Sequence, residues 1–552
     1  MLSKEVKEDV YRYAVKNAFL HGGRADVGAV VGKIAALHKD TNLKRIMNDI
    51  VEVVKQVNSK SFSEIEEEYK KFEPTYELKP KEETEGTDKL EWKDKGTEVV
   101  TRFAPNPNGP FHLGNARAAI LSHEYAAKYG GRFLLRFDDT DPKVKKPMEN
   151  AEEIFKEDLG WLGCRVDATY FASDRLDIYY KYMRLAVLKG KAYVCSCDSE
   201  EWRKLIWDKK ACPCREKSED EQVALFDKMM KHELKEGQAV LRIKTNLEDP
   251  DPSVRDWWAA KIVDEVEHPN KKALGKHVWP SYNFASAIDD HELGVTLICR
   301  GQEHSQNETK QRFLYDYFGW IYPKTIHFGR IKLGELTLST SAIKKGIEEG
   351  TYFGWDDPRL GTIRAFRRRG FQPEALKKII MEVGTNTNDA AIEFNKLADY
   401  NREIVKDIST ATEFIEDPIK MSVNLTPDIE TRGVLLSKGL QDFLVAKKET
   451  EKRKQGDIVR LKEAYNVRIL EKNEFDVQAE FVGTTKIDKA VMGWVVEGED
   501  VEITMDDASK RYGMIEAGID LNENKILYLE RLGYCRVDSI EEMPVKLWFC
   551  HR

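Results

Sequence analysis

The chain has 552 residues, 41% hydrophobic and 33% charged, with only 18 Pro and 35 Gly, a balance that excludes fibrous, low-complexity and disordered classes. Its 88 basic and 96 acidic residues leave a formal charge of -8, so no global basic field announces a nucleic-acid partner and local patches must carry that argument. No apolar run approaches the roughly 20 residues that cross a bilayer, and residues 1–23 mix Lys, Glu and Asp with apolar residues, so no membrane partner and a cytoplasmic location are expected.

Residues 1–70 show helical spacing (Val6, Val10, Tyr13, Ala14; then Ile46, Ile50, Val54), interrupted at Gly22 and Gly23, and predict a small helical unit. More than half of Lys71–Glu98 is charged, so residues 71–97 read as a solvated linker. A strand at Glu98–Phe103 follows, then a loop with Pro105, Pro107, Gly109 and Pro110. An Ala-rich helix from Asn115 to Tyr129, a stop at Gly130 and Gly131, and a strand at Arg132–Phe137 complete a βαβ unit. This opens a Rossmann-type α/β domain, predicted over 98–192 and 276–350, with residues 193–275 as an insertion. Helical spacing returns over 351–408. In 409–552, short strands are predicted around Val423, Ile458–Leu461, Val467–Leu470, Glu480–Thr485, Val491–Val496 and Val501–Met505, one or two β-barrels. The expected fold class is multidomain α/β plus all-β.

The most informative segment is Ala104-Pro105-Asn106-Pro107-Asn108-Gly109-Pro110-Phe111-His112-Leu113-Gly114-Asn115. It sets a small-residue turn and one His at the N-terminus of the first helix of the βαβ unit, where unpaired N–H groups and the helix dipole attract phosphate. Gly114 lets a nucleotide approach the backbone, and His112 has the chemistry to donate to a phosphate oxygen; a merely capping His is the alternative. Eight Cys are few for this length, and four fall in the pairs Cys195-x-Cys197 and Cys212-x-Cys214, a pattern suited to a tetrahedral structural Zn²⁺, with free thiols as the alternative.

The loop resembles the H-x-G-H signature of class I aminoacyl-tRNA synthetases, and Thr101-Arg102-Phe103-Ala104-Pro105 is similar to the entry strand of their glutamyl and glutaminyl branch. Further matches lie at Leu135-Arg136-Phe137-Asp138-Asp139-Thr140-Asp141-Pro142, Trp279–Ala285 with Ile288-Asp289-Asp290-His291, Arg300-Gly301-Gln302-Glu303-His304 and Gly354–Leu360. The nearest resemblance is to glutamyl enzymes of the archaeal type, whose anticodon-binding half is β-barrel. It implies a catalytic domain with an inserted acceptor-binding domain, a helical stem-contact domain and ATP-dependent attachment of glutamate to tRNA. ATP with Mg²⁺, L-glutamate and tRNA are the expected partners, and a monomer is favoured.

Two departures from the family pattern stand out. Asn115 replaces the second His of the signature, and the K-M-S-K-S loop corresponds to Leu338-Ser339-Thr340-Ser341-Ala342, which contains no Lys; Lys344 or Lys345 is expected to reach in instead. The resemblance thus implies His112, Asn115, Ser339, Thr340, Ser341, Lys344 and Lys345 as catalytic. It implies Pro105, Asn106, Gly109, Gly114, Arg330 and Leu338 as further ATP-binding residues. Arg102, Asp138, Tyr282, Ser286 and Arg300 are implied for glutamate, with Asp138 accepting from the α-ammonium and both Arg contacting carboxylates. Arg300 ends a buried apolar strand, where a guanidinium needs an anion: glutamate supplies one and glutamine does not, the other partner being a structural Glu292 or Glu303. Arg364, Arg367, Arg368 and Arg369, interleaved with Phe366 and Phe371, are expected to meet tRNA phosphate. A glutaminyl-specific enzyme, a catalytically inactive tRNA-binding paralogue and a small-molecule adenylyltransferase, which would have no need of the C-terminal β half, are the alternatives.

Overall fold

A computed structural model describes residues 4–20, 23–38, 43–72, 97–432, 434–487 and 491–552. Two compact units divide at Thr84. The linker expected over 71–97 falls almost entirely outside the described residues.

The N-terminal unit has helices Lys4–Leu20, Val27–Leu37, Leu43–Asn58 and Phe62–Phe72. Their apolar stripes meet in one core, with Val10, Ala14, Ile50, Val54 and Ile65 fully buried and Phe19 stacked on Tyr69 at 4.4 Å.

The second unit is built on a five-stranded parallel sheet: β1 (Val100–Phe103), β2 (Arg132–Phe137), β3 (Ala168–Phe171), β4 (Leu297–Gly301) and β5 (Lys324–Phe328), in the order β3-β2-β1-β4-β5. β1 is buried at all four residues, which explains its lack of polar alternation. The helix Leu113–Lys128 crosses from β1 to β2, its Ala116 and Ala119 allowing close contact with the sheet. Gly131 is needed where the chain re-enters: a Cβ there would lie 1.8 Å from the Val99 carbonyl oxygen. Strand order reverses between β1 and β4, and a crevice opens at the carboxyl ends of these strands, the position where doubly wound sheets bind ligands.

Between β3 and β4 the chain forms a four-stranded antiparallel sheet, Ala192–Cys195, Val240–Ile243, Trp258–Ile262 and Val278–Pro280, with helices Ser199–Trp207 and Glu219–Met230. After β5 come helices Thr340–Glu348, Ile363–Arg369, Pro373–Val383 and Phe394–Val405. Two larger sheets complete the chain. In the seven-stranded one, the edge strands Thr410–Thr412 and Phe414–Glu416 are joined by the single buried residue Glu413, so the sheet must curl to bring its ends together. In the six-stranded one, Leu444 and Val495 exchange backbone hydrogen bonds of 2.8 and 3.1 Å, joining the first strand to the chain beyond the last. Closure of this kind removes exposed strand edges. The strands Gly439–Ala446, Lys510–Glu516, Ile526–Leu529, Gly533–Ser539 and Val545–His551 are additional to those predicted.

Candidate active site

The loop from β1 runs into the helix Leu113–Lys128 through a capping box. The Asn115 N–H donates to His112 Nδ1 at 3.4 Å, and the His112 N–H donates to Asn115 Oδ1 at 2.8 Å. Both side chains are thereby fixed in role. With Nδ1 accepting, the proton of the neutral ring sits on Nε2; with Oδ1 accepting, Asn115 keeps its Nδ2–H₂ as a free-facing donor. Burial pushes the His112 pKa down to about 4, so the ring is a neutral donor near pH 7. The loop is pinned from behind by Leu113 N–H to Gly361 O (2.9 Å) and Ile363 N–H to Phe111 O (3.2 Å). Gly109 packs so closely that a Cβ would lie 2.6 Å from the Trp355 ring and 2.8 Å from Thr340 Cγ2.

These groups open onto a cavity of about 930 Å³. Pro105, Asn106, His112, Gly114, Asn115, Arg330, Leu338, Ser339, Thr340 and Ser341 line it together with Arg102, Asp138, Tyr282 and Arg300. Gly109 supports the wall without lining it. Ser286 does not reach the cavity: it is fully buried in the helix Tyr282–Glu292, and its Oγ has no hydrogen-bond partner.

Buried ion pairs dominate around Arg102 and Asp138. Arg102 forks onto Asp290, Nε to Oδ1 at 2.9 Å and a terminal nitrogen to Oδ2 at 3.3 Å. Arg136, fully buried on β2, donates to Asp289 at 2.6 Å and lies 3.5 Å from Asp138 Oδ1. Asp289 also accepts from Arg175 Nε at 2.6 Å and from the Tyr179 hydroxyl. Burial raises the pKa of Asp138, and Arg136 opposes that rise. Arg300 is 4% exposed and donates to Gln311 Oε1 (3.0 Å) and to the Tyr322 hydroxyl (2.8 Å); Glu308 is 3.5 Å away and Nε is unpartnered. Glu292 and Glu303 are engaged elsewhere, with Tyr182 and Arg330 respectively.

Ser339 caps the helix Thr340–Glu348, accepting from the Ala342 N–H at 3.4 Å, and this brings the Lys-free loop to the cavity. The expected reach of Lys344 or Lys345 is corrected here. Both are exposed on that helix, Lys345 faces Glu349 at 3.6 Å, and neither lines the cavity. The lining cations are Arg102, Arg300, Lys145, Lys261 and Arg330. The Arg cluster needs a second correction. Arg369 is 1% exposed and donates only to the carbonyls of Pro358, Phe549 and Cys550. Arg368 is held by Asp356 and Asp538 and lies over the Trp548 ring, so these two join the helix Ile363–Arg369 to the seven-stranded sheet rather than facing phosphate. Arg364 and Arg367 both pair with Glu157 at 2.7 Å and stay partly exposed.

The four cysteine thiols gather at the first strand of the insertion sheet. Cys195 and Cys212 sulfurs are 3.9 Å apart, those of Cys197 and Cys214 3.6 Å, and no disulfide forms. The edge of a tetrahedron with Zn–S bonds of about 2.3 Å is about 3.8 Å, a length that these two pairs match. The mutual approach within 4.8 Å covers Cys195, Cys197 and Cys212.

Several participants went unassigned at the level of sequence: Asp289, Asp290 and Arg136, whose motifs were noted without roles, and the rim residues Lys145, Trp258, Lys261 and His304. The signal for the first three was a charged residue inside an otherwise apolar element, which demands a partner.

A crevice at the switch point of a parallel sheet, lined by a helix-capping His and a Ser/Thr loop, is the architecture of a class I synthetase fold, and comparison with known families agrees. Residues 98–407 match the model of the tRNA synthetases class I (E and Q), catalytic domain, and the chain belongs to this family. Within it, the chain is 46% identical to a glutamate–tRNA ligase of Thermococcus kodakarensis over 100% of both chains. It is 45% identical to that of Pyrococcus furiosus and 40% to that of Sulfurisphaera tokodaii, each over 99% of this chain and 100% of the relative. Among solved structures, a glutamate tRNA ligase from Elizabethkingia meningosepticum in complex with its amino acid is similar at 23% identity and a TM-score of 0.42, over 57% of this chain and 70% of that one. Among the described residues no helix is long and apolar enough to cross a membrane.

Proposed function

We infer that this protein attaches L-glutamate to tRNA at the expense of ATP, through a glutamyl-adenylate. The reading is supported by full-length relatives that are glutamate–tRNA ligases and by a cavity that brings a phosphate-binding helix start and an anion-seeking pocket together. The observation that carries the amino-acid choice is Arg300. It is buried and keeps an unpartnered Nε; its short hydrogen bonds go to the neutral acceptors Gln311 and Tyr322, and Glu308 pairs with it at 3.5 Å. A glutamate carboxylate completes its hydrogen bonding, and a glutamine amide leaves the charge only partly compensated by Glu308, at a cost of about 1–3 kcal/mol.

The chemistry follows from where the donors point. A glutamate α-carboxylate oxygen attacks the α-phosphorus of ATP, the bond to the bridging oxygen breaks, and pyrophosphate leaves with the electron pair. Mg²⁺ bound to ATP spreads the phosphate charge. His112 Nε2–H and Asn115 Nδ2 donate to phosphate oxygens, with Ser339, Thr340 and Ser341 opposite them, so catalysis is positioning plus stabilisation of developing charge. Asp138, steadied by Arg136, accepts from the α-ammonium; Tyr282 and Arg102 complete the pocket, and Asp290 tempers the charge of Arg102. The terminal ribose hydroxyl of tRNA then attacks the adenylate carbonyl and AMP leaves. Arg364 and Arg367 are the members of their cluster left to meet tRNA phosphate. Cys195, Cys197, Cys212 and Cys214 would hold a structural Zn²⁺ that staples the insertion.

A catalytically inactive paralogue gains no support, because His112, Asn115 and the Thr340 loop share one cavity. The test is aminoacylation of glutamate and glutamine tRNA transcripts with labelled glutamate and, separately, labelled glutamine. Glutamate transfer to the first transcript alone marks a discriminating enzyme, and to both a non-discriminating one. Glutamine transfer overturns the role of Arg300, and no transfer overturns the function.

A further inference from the structure

A departing pyrophosphate carries several negative charges, yet the loop that in this family pattern carries a lysine has Thr340 there, and Lys344 and Lys345 stand outside the cavity. Of the five cations that do line it, Arg102 is neutralised by Asp290 and Arg300 is held by Gln311 and Tyr322 in the amino-acid pocket. Arg330 is 68% exposed and turns toward Glu303 at 3.9 Å, and Lys261 lies over its neighbour Trp258 at 5.7 Å on the insertion strand.

Lys145 differs from all of these in how it is mounted. It sits in the short segment Asp141–Met148, which follows β2 and runs beside the phosphate loop. One end is tied to that loop by the Met148 N–H donating to Pro107 O at 2.9 Å. The other is a turn in which Asp141 Oδ1 accepts from the N–H groups of Lys143 (3.3 Å) and Val144 (3.0 Å). The lysines on either side are spent on the insertion: Lys143 pairs with Glu236 at 2.6 Å and Lys146 with Glu267. Lys145 is exposed, lines the cavity and makes no ion pair among the described residues; its charge acts on Asp138, opposing the rise that burial imposes on that carboxyl. Three lysines within four positions therefore divide the work, two clamping the segment and the middle one lining the cavity.

We propose that Lys145 is a catalytic residue that binds the β- and γ-phosphates of ATP and the departing pyrophosphate, supplying from the β2 side the positive charge that the Ser339–Ser341 loop lacks. The inference rests on the adenylate-forming reading of this cavity. Its ammonium approaches the phosphoryl oxygens as a mobile point charge and needs no fixed fork, which suits a group that must follow the leaving pyrophosphate.

The test compares Lys145→Ala, Lys145→Arg and the double variant Lys344→Ala/Lys345→Ala in the full chain. Direct binding of ATP, inorganic pyrophosphate and AMP is measured by calorimetry, alongside tRNA- and glutamate-dependent pyrophosphate exchange. Lys145→Ala is expected to weaken ATP and pyrophosphate about tenfold or more, the size of one charge-assisted hydrogen bond, with AMP unchanged. Adenylate formation should fall about a hundredfold, and Lys145→Arg should restore most of both. A structural lesion would weaken AMP equally. The proposal is overturned if Lys145→Ala binds pyrophosphate within about twofold of the parent, or if the lysine pair on the helix carries the loss instead. A parent that binds pyrophosphate yet shows no glutamate-dependent exchange would sink the proposed function, while the binding data still judged Lys145.

Discussion

Replacing Asp289 by Asn tests the claim that the pocket is held in shape by a buried charge network. Asp289 is fully buried and receives Arg136 Nε and Arg175 Nε, each at 2.6 Å, and the Tyr179 hydroxyl. The amide keeps the shape and one acceptor oxygen but removes the negative charge between two guanidinium groups, one of them fully buried. Leaving a buried charge uncompensated costs about 3–5 kcal/mol. Part of that is returned, since Arg136 stands 3.5 Å from Asp138 and can close on it, so about 3 kcal/mol is the expectation. With an unfolding entropy of about 2.1 cal/mol/K per residue over a cooperative region of roughly 300 residues, the midpoint of thermal unfolding should fall by about 5 °C. Scanning calorimetry reads this directly. Because Arg136 would be drawn away from its present position, KM for glutamate should rise more than KM for ATP. A midpoint within about 1 °C of the parent, with both KM values unchanged, would refute the network's role.

Three further outcomes follow from the geometry. Asp158 is fully buried, neither carboxyl oxygen has a hydrogen-bond partner, Arg364 Nε is 3.6 Å away, and burial raises its pKa to about 7. The unfolded chain ionises from about pH 4 while the folded one holds its proton, so this group costs stability as pH climbs toward 7; Asp158→Asn should therefore stabilise by a few kcal/mol at pH 8, with a smaller gain at pH 5, in urea melts at the two pH values. Elemental analysis of purified protein should return close to one zinc per chain, and a chelator should expose four titratable thiols with loss of order in the insertion; well under one equivalent with four thiols already reactive would reject the tetrathiolate site. Gly109→Ala forces a methyl against Trp355 and Thr340, an overpacking of about 1–3 kcal/mol, and should lower the rate of adenylate formation more than it lowers glutamate affinity in equilibrium binding.

The fold was legible wherever a periodic pattern met a punctuating residue. Glu98–Phe137 reads as strand, loop, helix and strand because an Ala-rich helical stretch ends at Gly130–Gly131, and the structure places β1, the helix Leu113–Lys128 and β2 there. The strand Ile458–Leu461 was legible to the residue. Gly439–Ala446 and Lys510–Glu516 were not, because their pairing across the barrel, rather than an alternating pattern, makes them strands; Leu440 and Tyr512 face outward at 66% and 51% exposure. The phosphate side of the cavity was legible because its residues are consecutive in the chain. The side lined by Arg102, Asp138, Tyr282 and Arg300 was not, because Arg136 and Asp289, or Arg102 and Asp290, lie more than 150 positions apart and only the packing of the helix Tyr282–Glu292 beside β1 and β2 brings them together.

The arginine cluster shows why charge in a sequence is a weaker guide than charge in a structure. Four Arg within six residues read as a phosphate-binding stripe, yet a seven-residue helix has faces, and two of the four turn inward. Arg369 serves three carbonyl oxygens at once from separate nitrogens of its planar fork, and Arg368 clamps Asp356 and Asp538 across the same junction. The same logic runs in reverse at Lys145, where the sequence offers three near-identical lysines and only their partners separate two clamps from one cavity-lining charge. In both places function follows from which charge is left over once the buried and bridging pairs have been formed. A cation beside a phosphate cavity carries a functional argument only after every carboxylate and carbonyl within reach has been assigned.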